Sequence, residues 1–290
     1  MTTTQLTAPR SPAALAARRF RRSRPAVAGA LFLLLVVLLA AAAPLVAGHD
    51  PNAVDLAAFR QPPSAGHPLG TDSSGRDVLA RLLHAGRVSL LVGLLASLVA
   101  VAFGTLLGAA AGVFGGVLDT LVMRTADVVL SFPSLVVIVV LAGILGPSTA
   151  MLVIVFGVCN WPTACRVVRG LALGLREQEY VQASRAFGAG RFSVIARHVV
   201  PAVLSQVAVV GTLLVAQMIL LEAVLSFLGL GVQPPQASWG NMLTDAQNLT
   251  LIQTMPWLWL PPGLAIALTV LAVNFVGDGL RDAVDPRGVR

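Results

Sequence analysis

Side chains able to do chemistry are scarce in this sequence, and a conspicuous group of them lies in residues 176–201, REQEYVQASRAFGAGRFSVIARHVVP. Glu177, Glu179, Arg185, Arg191, Arg197 and His198 make this stretch a 26-residue polar island between long apolar runs. It cannot sit in hydrocarbon without desolvating several ions at once. Nor is it patterned as a linker. Val181, Ala183, Ser184 and Phe187 form a short apolar face at helical spacing, Gly188 stops it, and Phe192, Ile195, Ala196 and Val199 begin a second. The spacing predicts two short helices joined at a glycine, an arrangement suited to docking rather than to bond-making.

Bond-making finds no support elsewhere. Within the apolar runs no nucleophile and base, metal-ligand cluster or acidic pair recurs at a useful spacing, which argues against an enzyme. All twenty cationic residues are arginine. Without lysine there is no Walker A loop, so the chain cannot bind ATP in that way. Cys159 and Cys165 lie six residues apart, about 9 Å of helix rise and too far for a disulfide within one helix; they read as small core residues. His49, His67 and His84 share one polar segment but lack metal-ligand spacing, so solvent-exposed or capping roles are the simpler reading and no metal or cofactor is expected on this chain. Glu222 is the one ionisable residue in the run from Pro201 to Leu228. An intramembrane carboxylate is a functional candidate by default, here for a pathway or its gating. Its place near the end of the run also fits an acceptor for hydrogen bonds from the loop that follows.

The elements that must carry the island are membrane spans. A composition of 56% hydrophobic and 11% charged residues, with a mean hydropathy of +0.83, lies outside the soluble globular range and predicts an all-α polytopic membrane protein. Residues 1–24, with Arg10, Arg18, Arg19, Arg21, Arg22 and Arg24, form a cytoplasmic tail, and residues 25–47 a first transmembrane helix. That run exceeds the roughly 7–15 apolar residues of a signal peptide. Residues 48–87 form an external loop in which Asp72, Ser73 or Ser74 caps a short helix, with Val78, Leu79, Leu82 and Leu83 in one stripe, lying on the membrane surface. Residues 88–280 supply five more spans and the island. In the second span Gly104, Gly108 and Gly112 recur every four residues as a small-residue packing face. In the third, Arg124 and Asp127 stand three apart, where they can pair, and Phe132-Pro133 breaks the helix, either as a discontinuity lining a pathway or as a passive kink. The fourth runs from Thr149 to Cys165. Trp239 and Trp257, before the last span, suit a lid packed at the membrane interface, and residues 281–290 form a second cytoplasmic tail.

Six spans with both termini cytoplasmic place sixteen arginines inside and only Arg60, Arg76, Arg81 and Arg87 outside, in agreement with the positive-inside rule. The net charge of +7 thus follows membrane topology rather than nucleic-acid binding. A secondary transporter would show repeated broken helices with ionisable residues near mid-membrane, whereas this chain has one break and one peripheral carboxylate.

The island resembles the EAA loop of the membrane subunits of ABC importers: E-A-A, three residues, Gly, nine residues, I, one residue, L-P. Here the aligned positions are Gln182, Ala183 and Ser184, then Gly188, then His198, Val200 and Pro201, with glutamine in place of the glutamate, serine in place of the second alanine, and His198 and Val200 in place of the later apolar pair. HPLGTDSSGRDVLARLL, DTLVMRTADVVLSFPSL, LLEAVLSFLGLGVQPPQASWGNML and the carboxyl-terminal GDGLRDAVDPR are similar to the dipeptide and oligopeptide permeases of that group. Nickel and glutathione permeases look alike over the same blocks and remain alternatives. The resemblance implies the ABC importer type I permease fold and a multi-pass subunit of a bacterial inner membrane. It further implies a second, non-identical permease, two ATPase subunits that bind ATP and Mg, and an external binding protein. The EAA loop, Gln182 to Ser184 with Gly188 and Pro201, is then the part that inserts into the ATPase.

Overall fold

The structure, a computed structural model, describes residues 12–284. Arg10, Arg287, Arg290 and residues 285–287 of the carboxyl-terminal block lie outside the described residues. Among the described residues nine principal helices carry the architecture: α1 (Pro12–Arg22), α2 (Arg24–Ala41), α3 (Val78–Phe114), α4 (Gly116–Ser131), α5 (Ser134–Leu145), α6 (Thr149–Arg176), α7 (Glu179–Ala186), α8 (Arg191–Phe227) and α9 (Pro256–Val284). Five of them, α2, α3, α6, α8 and α9, are long and apolar enough to cross a membrane. Helices α4 and α5 meet at 85° and add a sixth crossing if they form one broken span. The break sits at Phe132-Pro133. Phe132 is extended (φ −98°, ψ 139°), as steric conflict with a following proline ring requires, and Pro133 opens the next helix.

The predicted glycine face decides how these helices are arranged. Gly104 lies against Trp161, Ala164 and Cys165 of α6, Gly108 against Val168 and Arg169, and Gly112 against Ala172. The two series rise together, so α3 and α6 run parallel. Parallel neighbours require the chain between them to return to its starting end, and α4 with α5 is the segment that does so. Helix α8 packs antiparallel to α3, with Gly93 against Ile219, and α9 antiparallel to α2, with Gly29 against Ala272 and Phe275. Gly279 meets Phe20 and Ala26, which puts both described ends of the chain at the same end of the bundle.

Besides the fourth span, whose helix runs past Cys165 to Arg176, and the last, whose helix runs into the expected tail as far as Val284, two boundaries differ from expectation. The short surface helix does not exist as a separate element: Asp77, not Asp72, Ser73 or Ser74, caps Val78, with its carboxylate accepting the Ala80 amide at 2.7 Å, and the helix then continues unbroken to Phe114. No proline or helix-ending turn interrupts it at Arg87, and the polar stripe finds partners inside the protein. Arg87 donates to the Ala40 and Ala41 carbonyls at 2.6 and 2.5 Å, and Arg81 to Pro51 at 3.2 Å. Asp72 instead closes the preceding turn, taking the amides of Ser74 and Arg76. The second difference is in the island. Its second short helix is the beginning of α8, which passes through a π turn at Ile195–Val199 and enters the span without a joint at Pro201. Pro201 brings no N–H to the Arg197 carbonyl, and a wider turn just ahead of it absorbs that loss.

A Cβ at Gly108 would stand 3.0 Å from Val168 Cβ and 3.1 Å from the Arg169 nitrogen, whereas nothing lies within 4 Å of one at Gly170. Gly108→Leu is therefore expected to force α3 from α6 and to cost roughly 1–3 kcal/mol of stability. Gly170→Ala should leave the thermal unfolding midpoint in detergent unchanged or raise it.

Candidate functional site

The island is a rigid body fastened to three spans. Phe187 caps the end of α7, and Gly188 follows at φ +89°, with the Gly188 amide bonded to the Arg185 carbonyl at 2.9 Å and the Ala189 amide to the Ser184 carbonyl at 3.1 Å. This is the reversal that an αL glycine allows at a helix C-terminus. Below it Val181 is fully buried, together with Val194 and Val199 of α8, Val168 and Ala172 of α6, and Ala109 and Val113 of α3. Ser184 turns inward, its hydroxyl 3.2 Å from His198 Nε2, and the His198 ring meets the Tyr180 ring edge-on at 5.8 Å. Phe192 packs edge-on against Phe114 at 5.2 Å, with the Arg191 guanidinium over the same Phe114 ring.

What remains outside forms one surface. Gln182, Ala183 and Gly188 are exposed. Phe187 is 93% and Phe192 78% exposed, so the polar island presents two aromatic side chains outward. Gln182 reaches back to the Glu177 carbonyl at 3.1 Å instead of engaging a cation. Nothing lies within 4 Å of a Cβ at Gly188, so that position needs glycine for its backbone angle and is otherwise open.

Ion pairs tie the same end of the bundle. Arg169 of α6 grips both carboxylate oxygens of Asp119 on α4, with Nη2 2.7 Å from Oδ2, and Arg166 reaches Asp127 at 2.6 Å. Asp127 therefore pairs across helices rather than with Arg124, because the broken span lies alongside α6. Arg176 donates to Glu177 at 2.9 Å and to the Gly112 carbonyl at 3.4 Å, joining the glycine face to the first residues of the island.

At the opposite end two loops close over the spans. Glu222 is fully buried. It accepts the Ser89 hydroxyl of α3 at 2.7 Å and the Ser226 hydroxyl at 2.6 Å. Those hydroxyl oxygens in turn accept the amides of Trp239 and Val232 at 3.1 and 3.0 Å. Glu222 thus holds the loop through two serines, the second of the two roles its position allows, and it does not come together with Phe132 and Pro133. Trp239 is no interface residue: it is buried, its ring against Gly86 and its Nε1 donating to the Leu82 carbonyl at 3.1 Å. The serines carry no signal in the sequence, since Ser89 and Glu222 are 133 residues apart. Beside this core a cavity of about 340 Å³ opens between the loops, lined by Asp72, Ser73, Arg76 and Arg81 on one side and Gln233, Asn241 and Asp245 on the other. Ser73 donates to Asp245 at 2.8 Å, and Asp72 receives Arg76 at 2.7 Å and Arg81 at 3.4 Å.

Residues 104–289 match the family described as the binding-protein-dependent transport system inner membrane component. The chain belongs to this permease family. Residues 11–63 match the N-terminal transmembrane domain of oligopeptide transport permease C. A Brucella suis protein named as a peptide permease is 44% identical over 276 residues, covering 95% of this chain and 91% of the relative. A second Brucella suis protein, named as a peptide transport system permease, is 40% identical over 278 residues, with 96% and 93% covered. An Escherichia coli protein named for D,D-dipeptide transport, DdpC, is 41% identical over 261 residues, with 90% and 87% covered. The chain is accordingly a multi-pass inner-membrane permease of the peptide importer family.

Glu222→Ala strands two buried hydroxyls that hold the loop. The expected loss is roughly 2–3 kcal/mol, with faster protease cleavage within residues 229–255, while Ser226→Ala costs about 1 kcal/mol. Limited proteolysis and chemical unfolding in detergent read both.

Proposed function

We propose that this chain is one permease of an ATP-driven importer of di- and oligopeptides, coupled to separate ATPase subunits through residues 176–201. The observation that carries the proposal is the island's two-sidedness: Val181 is sealed against three spans while Phe187 and Phe192 face outward. A lever must be stiff toward what it moves and exposed toward what moves it, and exposed aromatic side chains on a polar loop are characteristic of protein contact surfaces. A single hydrocarbon-free loop of this kind, fixed to the ends of α3, α6 and α8, transmits a push to half of the spans at once.

ATP and Mg belong, on this reading, to two ATPase subunits, since a chain without lysine has no Walker A loop of its own. The exposed apolar surface of α4 and α5, including Val117, Val136 and Ile144, serves contact with lipid and with a second, non-identical permease. The arginine distribution supports a cytoplasmic island with both termini on the same side. An external binding protein then meets the opposite loops, which the Ser73–Asp245 bond joins into one surface. Peptide is the favoured cargo because the relatives are named for peptide and D,D-dipeptide transport.

Gly188→Arg imposes an αL angle on a bulky side chain and fills the exposed surface. Peptide uptake by cells carrying it should fall at least tenfold and ATP hydrolysis should no longer respond to peptide, with the amount of inserted permease unchanged. Normal uptake by that variant would sink the lever. Co-purification of the wild-type chain from its native membrane tests the assembly itself: a second permease, a P-loop ATPase and a peptide-carrying binding protein are expected, and recovery of this chain alone contradicts the importer.

A further inference from the structure

The loop that follows α2 and the segment before α3 bring together three donor groups that lie far apart in the sequence. His67 Nδ1 is 2.8 Å from Asp77 Oδ2, and His49 Nδ1 is 3.9 Å from the same oxygen. Each of the three residues offers a ligand atom within 4.8 Å of the other two, and the imidazole rings stand 5.0 Å apart. His84, the third histidine of the segment, is turned elsewhere and bonds the Ala80 carbonyl.

We propose that His49, His67 and Asp77 form a binding site for a divalent transition-metal ion of the zinc or nickel class, at the end of the bundle opposite the polar island. Two nitrogen or oxygen ligands at about 2.0–2.1 Å from a tetrahedral ion stand about 3.4 Å apart, a value that the 2.8 and 3.9 Å separations bracket. Two imidazoles and one carboxylate favour such borderline ions over magnesium or calcium, which take oxygen ligands. Asp77 is held for the task. Its Oδ1 accepts the Ala80 amide at 2.7 Å as the cap of α3, which leaves Oδ2 facing the histidines, and its side chain is 2% exposed. A fixed second partner of this kind orients a ligating carboxylate. The backbone is fixed as well, by a bridge between Thr71 and Asp77 and by the Val78 amide on the Gly70 carbonyl at 3.0 Å. The positive end of the α3 dipole opposes a cation here, and the charge on Asp77 offsets it. His49, 48% exposed, leaves an entry for the ion. Three protein ligands also leave at least one coordination position for water or an external donor. A bound ion ties the segment after α2 to the start of α3, independently of what the transporter carries.

The test is zinc binding to the full-length chain, purified through a tag that contains no histidine and assembled with its co-purifying subunits. Isothermal titration with ZnCl2 is compared among wild type, His49→Ala, His67→Ala and His84→Ala. His49→Ala is the decisive variant, because His49 makes no hydrogen bond to Asp77 and its removal leaves the helix cap in place. The wild type and His84→Ala are expected to share one zinc equivalent that His49→Ala and His67→Ala each weaken at least tenfold. Cobalt should give the wild type a visible ligand-field band that both variants lose. Equal zinc affinity in wild type and His49→Ala, or a cobalt band unaltered by His67→Ala, overturns the proposal. So does a wild type that takes up no zinc in the micromolar range.

Discussion

Helices α3 and α6 approach each other so closely that, at three successive turns, only a hydrogen fits where a side chain would be. Gly104, Gly108 and Gly112 supply that clearance, and a Cβ at Gly104 would stand 2.6 Å from the Trp161 carbonyl oxygen. In a membrane, where lipid solvates apolar side chains as well as protein does, close backbone packing is a main source of helix association. The contact also fixes direction. Because α3 and α6 are parallel, the broken pair α4–α5 has to recross between them, and its acids Asp119 and Asp127 then fall beside Arg169 and Arg166. Val113 and Val168, which help to seal Val181, sit on the same two helices toward the island.

The two ends of the bundle are held by different physics. At the island end, apolar residues fasten α7 to α3, α6 and the first turns of α8, ion pairs tie α4 to α6, and the outer surface of the island stays open. At the other end the buried Glu222 carboxylate holds the loop between α8 and α9 through two serine hydroxyls, each of which donates to Glu222 and accepts a backbone amide. Every polar group in that cluster has a partner, as burial away from water demands.

Much of this was legible in the residues, for identifiable reasons. Gly104, Gly108 and Gly112 repeat at the helical period, Phe132-Pro133 forbids the α region before the ring, and Gly188 stops an apolar face where an αL residue is needed; each is a local rule. Long-range partnerships were not legible. Asp77 and Asp72 are equivalent as caps on paper, and the choice falls to Asp77 because Asp72 is occupied by Arg76 and the turn it closes. Trp239 reads as an interface residue until the Leu82 carbonyl and the Gly86 gap are seen to receive it. His49, His67 and Asp77 have no motif spacing, since three separate loop segments bring them together. The continuity of α8 through the island escaped because a π turn takes up the missing proline N–H without breaking the helix.

What touches Phe187 in the native membrane decides whether the island is a coupling surface. A photo-crosslinking phenylalanine analogue at that position, and another at Leu31 on the exposed face of α2, can be activated in native membranes, and the captured chain identified by mass spectrometry. A coupling role for the island requires a Phe187 adduct with an ATPase subunit whose yield changes with nucleotide, and none from Leu31. Capture of lipid alone, or of no ATPase, by a Phe187 variant that still transports peptide would contradict it.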